Sequence, residues 1–420
     1  MPEPAFIPIS RSDVLDALLS PELWPSTNQQ AQAAEVLKKI GQLRQYKSGD
    51  RLNQLSDIYD PFNPDDETVN LTEISENERL EKRRMFNAML KELVSSANYQ
   101  ELRPEELEEI LTKMSPDGVH VEVDFREYDV RLIYYRGVSY LERRRRDIRK
   151  LFLKHAPVHI PIFERLFMAI KFKPEDVRVQ EVMREQDLDE EKARRVVRKL
   201  RRVLPPTFST DHIYIKIFKN IPRHDVEMLF PNIRVKMKYR DKIQLGGSAV
   251  VGTATWAVGT ASKLLVAAAV SPLMLAGALA TGVGGIMYAQ VRNIFITRDR
   301  YRMLLAQRLY FQNLSNNQGA LALMVDEAEE EDVKEEALLY IHLLFTPLHA
   351  SQIETLRSRI NIFIKDRFGA DIRFDIHDAM RRLVALGLVT QSQMGDLRAV
   401  PPGDAIPYLH ERWCRLSEMR

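Results

Sequence analysis

The sequence predicts an α+β membrane protein: a helical N-terminal region, a small and mostly antiparallel sheet unit, a two-helix transmembrane hairpin and a winged-helix-like C-terminal domain. Three observations carry that expectation. The 47-residue stretch from Leu245 to Val291 holds one charge, Lys263, in a chain that is 29% charged; a spanning helix needs roughly 20 apolar residues, so the stretch is about two spans long. The segments HIYIKIF (His212–Phe218) and IRVKMKY (Ile233–Tyr239) alternate with period two. Each sets Lys or Arg on one face and apolar side chains on the other, as half-buried antiparallel strands do. Near the C-terminus, three helical patterns are followed by LVTQSQ and LRAV around the turn MGDL, the layout of a winged helix.

Residues 1–114 read as helical. Val14, Leu15, Leu18 and Leu19, then Val36, Leu37 and Ile40, recur at helical spacing over residues 10–46. Pro61 and Pro64 then break the pattern in SDIYDPFNPDDETVN. Glu76–Ser95 and Pro104–Met114 follow as helices, the second opened by proline at N1 with Glu105 and Glu106 at the positive dipole end.

Residues 115–242 form the sheet unit. Val119–Phe125, Val130–Tyr135 and Phe163–Phe172 join the two period-two segments as strand candidates, and Glu175–Leu204 gives two helical pieces around Asp187–Asp189.

Residues 245–291 form the hairpin, flanked by Arg234, Lys236, Lys238, Arg240 and Lys242 before it and by Arg292, Arg298, Arg300 and Arg302 after it. Basic flanks at both ends favour an even number of crossings with both soluble parts on the cytoplasmic side. The turn falls at Ser271-Pro272 or, alternatively, at Lys263 with Pro272 kinking a long second span. A mid-bilayer lysine costs roughly 2.5–3.5 kcal/mol, less what snorkelling recovers. Gly252, Gly259, Gly277, Thr281 and Gly285 are small residues that let helices approach closely, within one chain or in a homo-oligomer. A buried apolar hairpin inside a soluble fold is the competing reading.

Residues 297–345 form a helical connector, in which Thr297–Leu314 stops at SNNQG and an acidic second helix runs to Phe345. Residues 346–420 hold the winged-helix-like domain, with helices Ser351–Phe368 and Ile376–Leu386.

No catalytic, cofactor or metal constellation stands out. Asp60, Asn63, Asp65, Asp66 and Glu67 lack the order of a calcium loop, and His155/His159 and His342/His349 each straddle a proline. A net charge of +2, from 61 basic and 59 acidic residues, argues against a general nucleic-acid binder. The winged-helix-like tail from Asp332 to Arg420 carries 12 basic and 12 acidic residues, and its presumed recognition helix opens with Asp375 and Asp378, so protein partners are expected there. Arg194, Arg195, Arg198, Arg201 and Arg202 form a basic cluster that could rest on anionic headgroups, against a solvated helix face balanced by Glu181, Glu185, Glu190 and Glu191. Cys414 is the single cysteine, which excludes an intrachain disulfide and fits a reducing compartment. The N-terminus shows neither a secretory signal nor an Arg-rich transit pattern.

FIPISRSDV, YDPFNPDDETV, VRLIYYRG, YIKIFKNIPRHDVEMLFP with VKMKYRD, and LYFQNLSNNQG…DEAEEEDVKEEALLYIHLL occur in one order along the chain. Together they resemble the transmembrane protein 143 family of bacterial and organellar membrane proteins of unknown activity. The resemblance implies a membrane location and supplies no catalytic residues; Glu175–Leu204 reads as an insertion relative to it. The expectation is therefore a non-enzymatic scaffold in the bacterial inner membrane, with the lipid bilayer as one partner and both soluble parts cytoplasmic. The alternatives are an oligomeric conductance lined by Lys263, and a membrane-surface enzyme acting on lipid through Asp225 and Glu227.

Overall fold

The computed structural model describes residues 6–65, 74–112, 120–146, 155–202, 204–232, 234–236 and 310–418. The helices among them are α1 (Arg11–Leu18), α2 (Thr27–Tyr59), α3 (Glu76–Ser96), α4 (Pro104–Thr112), α5 (Glu175–Gln186), α6 (Glu190–Arg201), α7 (Asn317–Phe345), α8 (Ile353–Phe368), α9 (Ile376–Ala385) and α10 (Pro402–Glu418). The first three begin where a serine can satisfy a free backbone donor. Ser10, Ser26 and Ser75 accept from the N–H groups of Asp13, Gln29 and Glu78.

Five strands form one antiparallel sheet in the order β1-β3-β4-β5-β7: β1 (Gln100–Glu101), β3 (Tyr128–Arg146), β4 (His155–Phe172), β5 (Tyr214–Pro222) and β7 (Asn313–Asn316). A separate pair joins β2 (His120–Glu122) to β6 (Arg234–Lys236). Three short strands, β8 (Leu348–His349), β9 (Val389–Gln391) and β10 (Asp396–Ala399), close the C-terminal unit.

Alternation along the strands divides the sheet between two cores. Phe167, Ala169, Ile213, Ile215 and Ile217 face α2, α3 and the first half of α7. Leu166, Met168, Ile170, Phe172 and Phe218 face the opposite side, with α4 and the 3₁₀ segment Arg223–Leu229. A third core joins α1, the first half of α2, the second half of α7 and the whole winged-helix-like unit. The C-terminal unit thus shares its core with the N-terminal helices. At 1.5 Å per residue, the 33 residues of α2 and the 29 of α7 span about 50 and 43 Å, long enough to run through both cores.

Between those cores α7 carries a belt of buried charge. Glu336 binds Arg44 and Arg382, while Glu335 and Asp332 pair with Arg382. Lys334 pairs with Glu331 at 2.6 Å and donates to the carbonyls of Ile7 and Ile9, and Glu331 accepts the Ile7 N–H at 3.0 Å. The belt fastens the start of the chain to its middle.

The expected two-helix transmembrane hairpin and inner-membrane location are corrected by this structure. No helix among the described residues is long and apolar enough to cross a membrane. The two longest, α2 and α7, carry charges such as Lys38, Arg44, Asp326 and Glu335 in their interiors, each costly in hydrocarbon. The architecture is a mixture of helix and sheet. The stretch 245–291, with Gly252, Gly259, Lys263, Pro272, Gly277, Thr281 and Gly285, lies outside the described residues.

Two smaller differences have clear causes. SNNQG does not end a helix; NLSN forms the edge strand β7 and α7 starts at Asn317. Asn317 sits at φ +45°, and its Oδ1 accepts the Ile215 N–H at 3.0 Å, which ties the start of α7 to β5. Helix α1 stops at Leu18 and α2 starts at Thr27, because Pro21 and Pro25 interrupt the pattern between them.

Candidate functional site

A cavity of about 770 Å³ opens on the sheet face away from α7. The pleat that sends Ile215 and Ile217 to one core sends Tyr214, Lys216 and Phe218 into this cavity, beside Met168, Ile170 and Phe172 of β4. Leu204 and Phe208, after α6, and Met228, Leu229 and Phe230 supply the remaining apolar wall. The rings interlock: Phe208 stacks on Tyr214 with centroids 5.6 Å apart and meets Phe172 edge-on at 4.7 Å. The Tyr214 hydroxyl accepts the Ser209 N–H at 2.9 Å, which fixes that wall.

One end of the cavity is polar. Asp65, Lys216, Asn313, Asn316 and Asn317 line it. Lys216 and Asn316 are register partners across β5 and β7, as are Phe218 and Asn313. Asn317 donates from Nδ2 to Asp65 at 2.7 Å, while its Oδ1 also receives the Tyr59 hydroxyl at 3.4 Å. Tyr59 donates to Ile213 O at 2.7 Å, and burial holds its hydroxyl far above the usual tyrosine range. Those groups are satisfied. Lys216 and Asn313 differ: Lys216 is exposed and has no ion pair among the described residues, and the Asn313 Oδ1 is buried with no donor among them. Loss of water around Lys216 lowers its pKa from the ordinary lysine value, with Asp65 offsetting part of the shift. An exposed ammonium and a buried acceptor therefore stand at the polar end of a chamber whose wall is mostly apolar.

The basic residues singled out from the sequence lie together on α6, and acids of the same chain engage most of them. Arg194 pairs with Asp176 and Glu190, Arg195 with Glu191, and Arg198 with Glu175, at 3.0–3.3 Å. Arg201 reaches Glu127 at 3.0 Å and Lys173 O at 2.8 Å, and Arg202 is exposed. Beneath them Arg178, 1% exposed, is ringed by Asp124, Glu127, Glu181 and Glu185. Asp225 is buried in the 3₁₀ segment Arg223–Leu229, and the Glu227 side chain lies outside the described ones. His342 is half-buried against Phe363, with Nδ1 2.7 Å from Leu338 O. The presumed recognition helix, α9, turns inward: Asp375 caps it, and Arg382 reaches Asp332, Glu335 and Glu336 of α7.

Of the cavity's polar end, sequence singled out Asp65 alone, in a loop weighed against calcium binding. The signal for the rest was the lone Lys216 between isoleucines in HIYIKIF, beside the asparagines of NLSNN.

Residues 132–319 match the model of a family described as a protein of unknown function, DUF3754. The matched segment contains β4, β5 and β7, hence most of the cavity wall, and leaves out Asp65 and the winged-helix-like unit. No solved structure matches the chain.

Proposed function

We propose that the protein is a non-enzymatic binding protein, whose cavity on the sheet holds an amphipathic molecule with an apolar body and an uncharged, hydrogen-bonding head. One observation carries this reading: the apolar wall ends at the exposed Lys216 ammonium, which has no ion pair among the described residues, and at the buried Asn313 Oδ1, which has no donor among them. Ligand sites commonly occupy roughly 300–1,000 Å³ with apolar walls and a few convergent polar groups. A carboxylate head could accept from Lys216 but would leave Asn313 without a donor, and Asp65 nearby disfavours a second negative charge. An amide or hydroxyl head satisfies both groups. Titration of the full chain with dodecanamide and with dodecanoate, followed by native mass spectrometry, tests this. The amide should bind and outcompete the acid, and Met228→Trp, which fills the chamber, should abolish binding with the circular dichroism spectrum unchanged. Binding of neither compound counts against the proposal.

A second reading, recruitment of a protein partner by the C-terminal unit, is favoured by the β9–β10 turn. Met394 is 84% exposed there, on a loop held firmly from below. His349 donates Nε2–H to Met394 O at 2.8 Å, and Gly395 at φ +88° leaves no room for a Cβ beside that ring. A photo-crosslinking residue at Met394 should capture a defined partner that Met394→Ser loses; capture of nothing specific removes the reading.

A further inference from the structure

A second, smaller cavity of about 230 Å³ lies between α2 and α9, away from the sheet. Arg44, Lys47, Arg381 and Arg382 line it, with Asp378 as the acid on its wall. We propose that this cavity binds a phosphate-type oxyanion.

The two inner guanidinium groups are fixed from behind. Arg44 donates Nε to Glu336 at 3.0 Å, and Arg382 donates Nε to the other Glu336 oxygen at 3.1 Å while Nη1 meets Asp332 at 3.1 Å. Glu336 thus orients both groups. The Nη1 edge of Arg44 has no hydrogen bond among the described residues. An arginine held by a carboxylate on one edge and open on the other is prepared for an oxyanion, because its planar fork matches phosphate oxygens.

The outer pair adds charge without full compensation. Arg381 pairs with Asp378, but Lys47 has no ion pair within 4 Å among the described residues. Partial loss of water and the positive fields of Arg44 and Arg412 lower the Lys47 pKa, with Glu336 offsetting part of the shift. Crowded cations of this kind repel one another until an anion arrives. Burial raises the pKa of the α7 carboxyls that lie behind Arg44 and Arg382, namely Asp332, Glu335 and Glu336. The volume falls below the roughly 300–1,000 Å³ of drug-sized sites, so the cavity itself takes a compact oxyanion, and any group esterified to it must lie outside. Because α2 comes from the N-terminal region and α9 from the winged-helix-like unit, an anion here would brace the two against each other.

The test uses the full chain, with inorganic phosphate and adenosine 5′-monophosphate as probes against chloride at matched ionic strength. Binding is read by ³¹P NMR line broadening and by thermal melting. Either probe should raise the melting temperature in a saturable way. Lys47→Ala/Arg381→Ala, which removes two exposed side chains, should weaken the apparent Kd by about tenfold or more. The exposed control Arg195→Ala should leave it unchanged. The stronger probe reports whether a bare or an esterified phosphate is the better ligand. Melting no different from chloride with both probes overturns the proposal, as does equal binding by the double variant. Lys216→Met should not affect this site, so its failure and that of the sheet cavity are distinguishable.

Discussion

The sheet half and the helical half of this chain handle polar groups inside apolar surroundings in opposite ways. In the helical half most buried ions are closely partnered: Glu336 has two arginines, and Lys334 has Glu331 and two carbonyls, while Asp332 Oδ1 has an arginine within 3.1 Å but no hydrogen bond among the described residues. In the sheet half the polar end of the cavity is open: Lys216 is exposed with no ion pair, and Asn313 Oδ1 is buried with no donor, among the described residues. A closed network holds elements together, and an unfinished one at the end of a chamber is suited to receiving a ligand. The same helices, α2 and α7, serve both halves, so the difference lies in side chains and not in the scaffold.

The comparison breaks most visibly at Arg382. Arg382→Ala leaves Asp332, Glu335 and Glu336 with Arg44 alone among their arginine ion-pair partners. A loss of about 3–5 kcal/mol is expected in urea denaturation, as for other buried pairs stripped of one member. A loss under about 1 kcal/mol would mean the belt is solvated, as most surface pairs are.

The same belt predicts a pH dependence. Burial, outweighing Arg382, raises the Glu335 pKa from 4.5 to about 8. The folded chain therefore holds this proton more tightly than the unfolded chain. Its contribution to stability is full below the unfolded value near 4.5 and is lost as pH rises toward 8. Glu335→Gln mimics the protonated form, so the variant should gain on the wild type between pH 5 and pH 8. A stability difference that stays flat across that window contradicts the assignment.

In the sheet half, Ile215→Ala opens a hole in a closed core facing α7 and should cost about 2–5 kcal/mol. Phe208→Ala, at a partly exposed wall of the existing cavity, should cost less because that side already lacks packing. Equal losses at the two sites in chemical denaturation would mean that the cavity is filled by packing.

Local structure was legible where one short pattern decided it. The alternation of HIYIKIF marks β5, and Pro104 with two acids after it marks the start of α4. Strand β7 was not legible, because NLSN has neither alternation nor β-branched residues and is held by pairing with β5 and by Asn317. DEAEEEDVKEE marks the acidic start of a helix without showing which acids it buries, and Glu331, Glu335 and Glu336 are buried. Their partners stand far away in sequence: Arg44 is 292 residues from Glu336, and Arg382 is 46. The transmembrane expectation came from the apolar length of one segment, and no described helix provides a span. For the cavity, sequence displayed Lys216 as one polar residue on a strand face; only the fold places it at the end of a cavity, with no ion pair among the described residues.

The measurement that bears most directly on the central claim is dodecanamide affinity for the wild type, Lys216→Met and Asn313→Leu, each checked for an unchanged fold. Each substitution removes one of the two groups assigned to the head and keeps the apolar wall. Loss of one hydrogen bond to a charged group costs about 1.5–3 kcal/mol, and of a neutral one about 0.5–1.5. Lys216→Met should therefore weaken binding by roughly ten- to a hundredfold, and Asn313→Leu by a smaller factor. Affinity unchanged in both variants would show that no head group is recognised at that end, and the account of the cavity as a ligand site would be wrong.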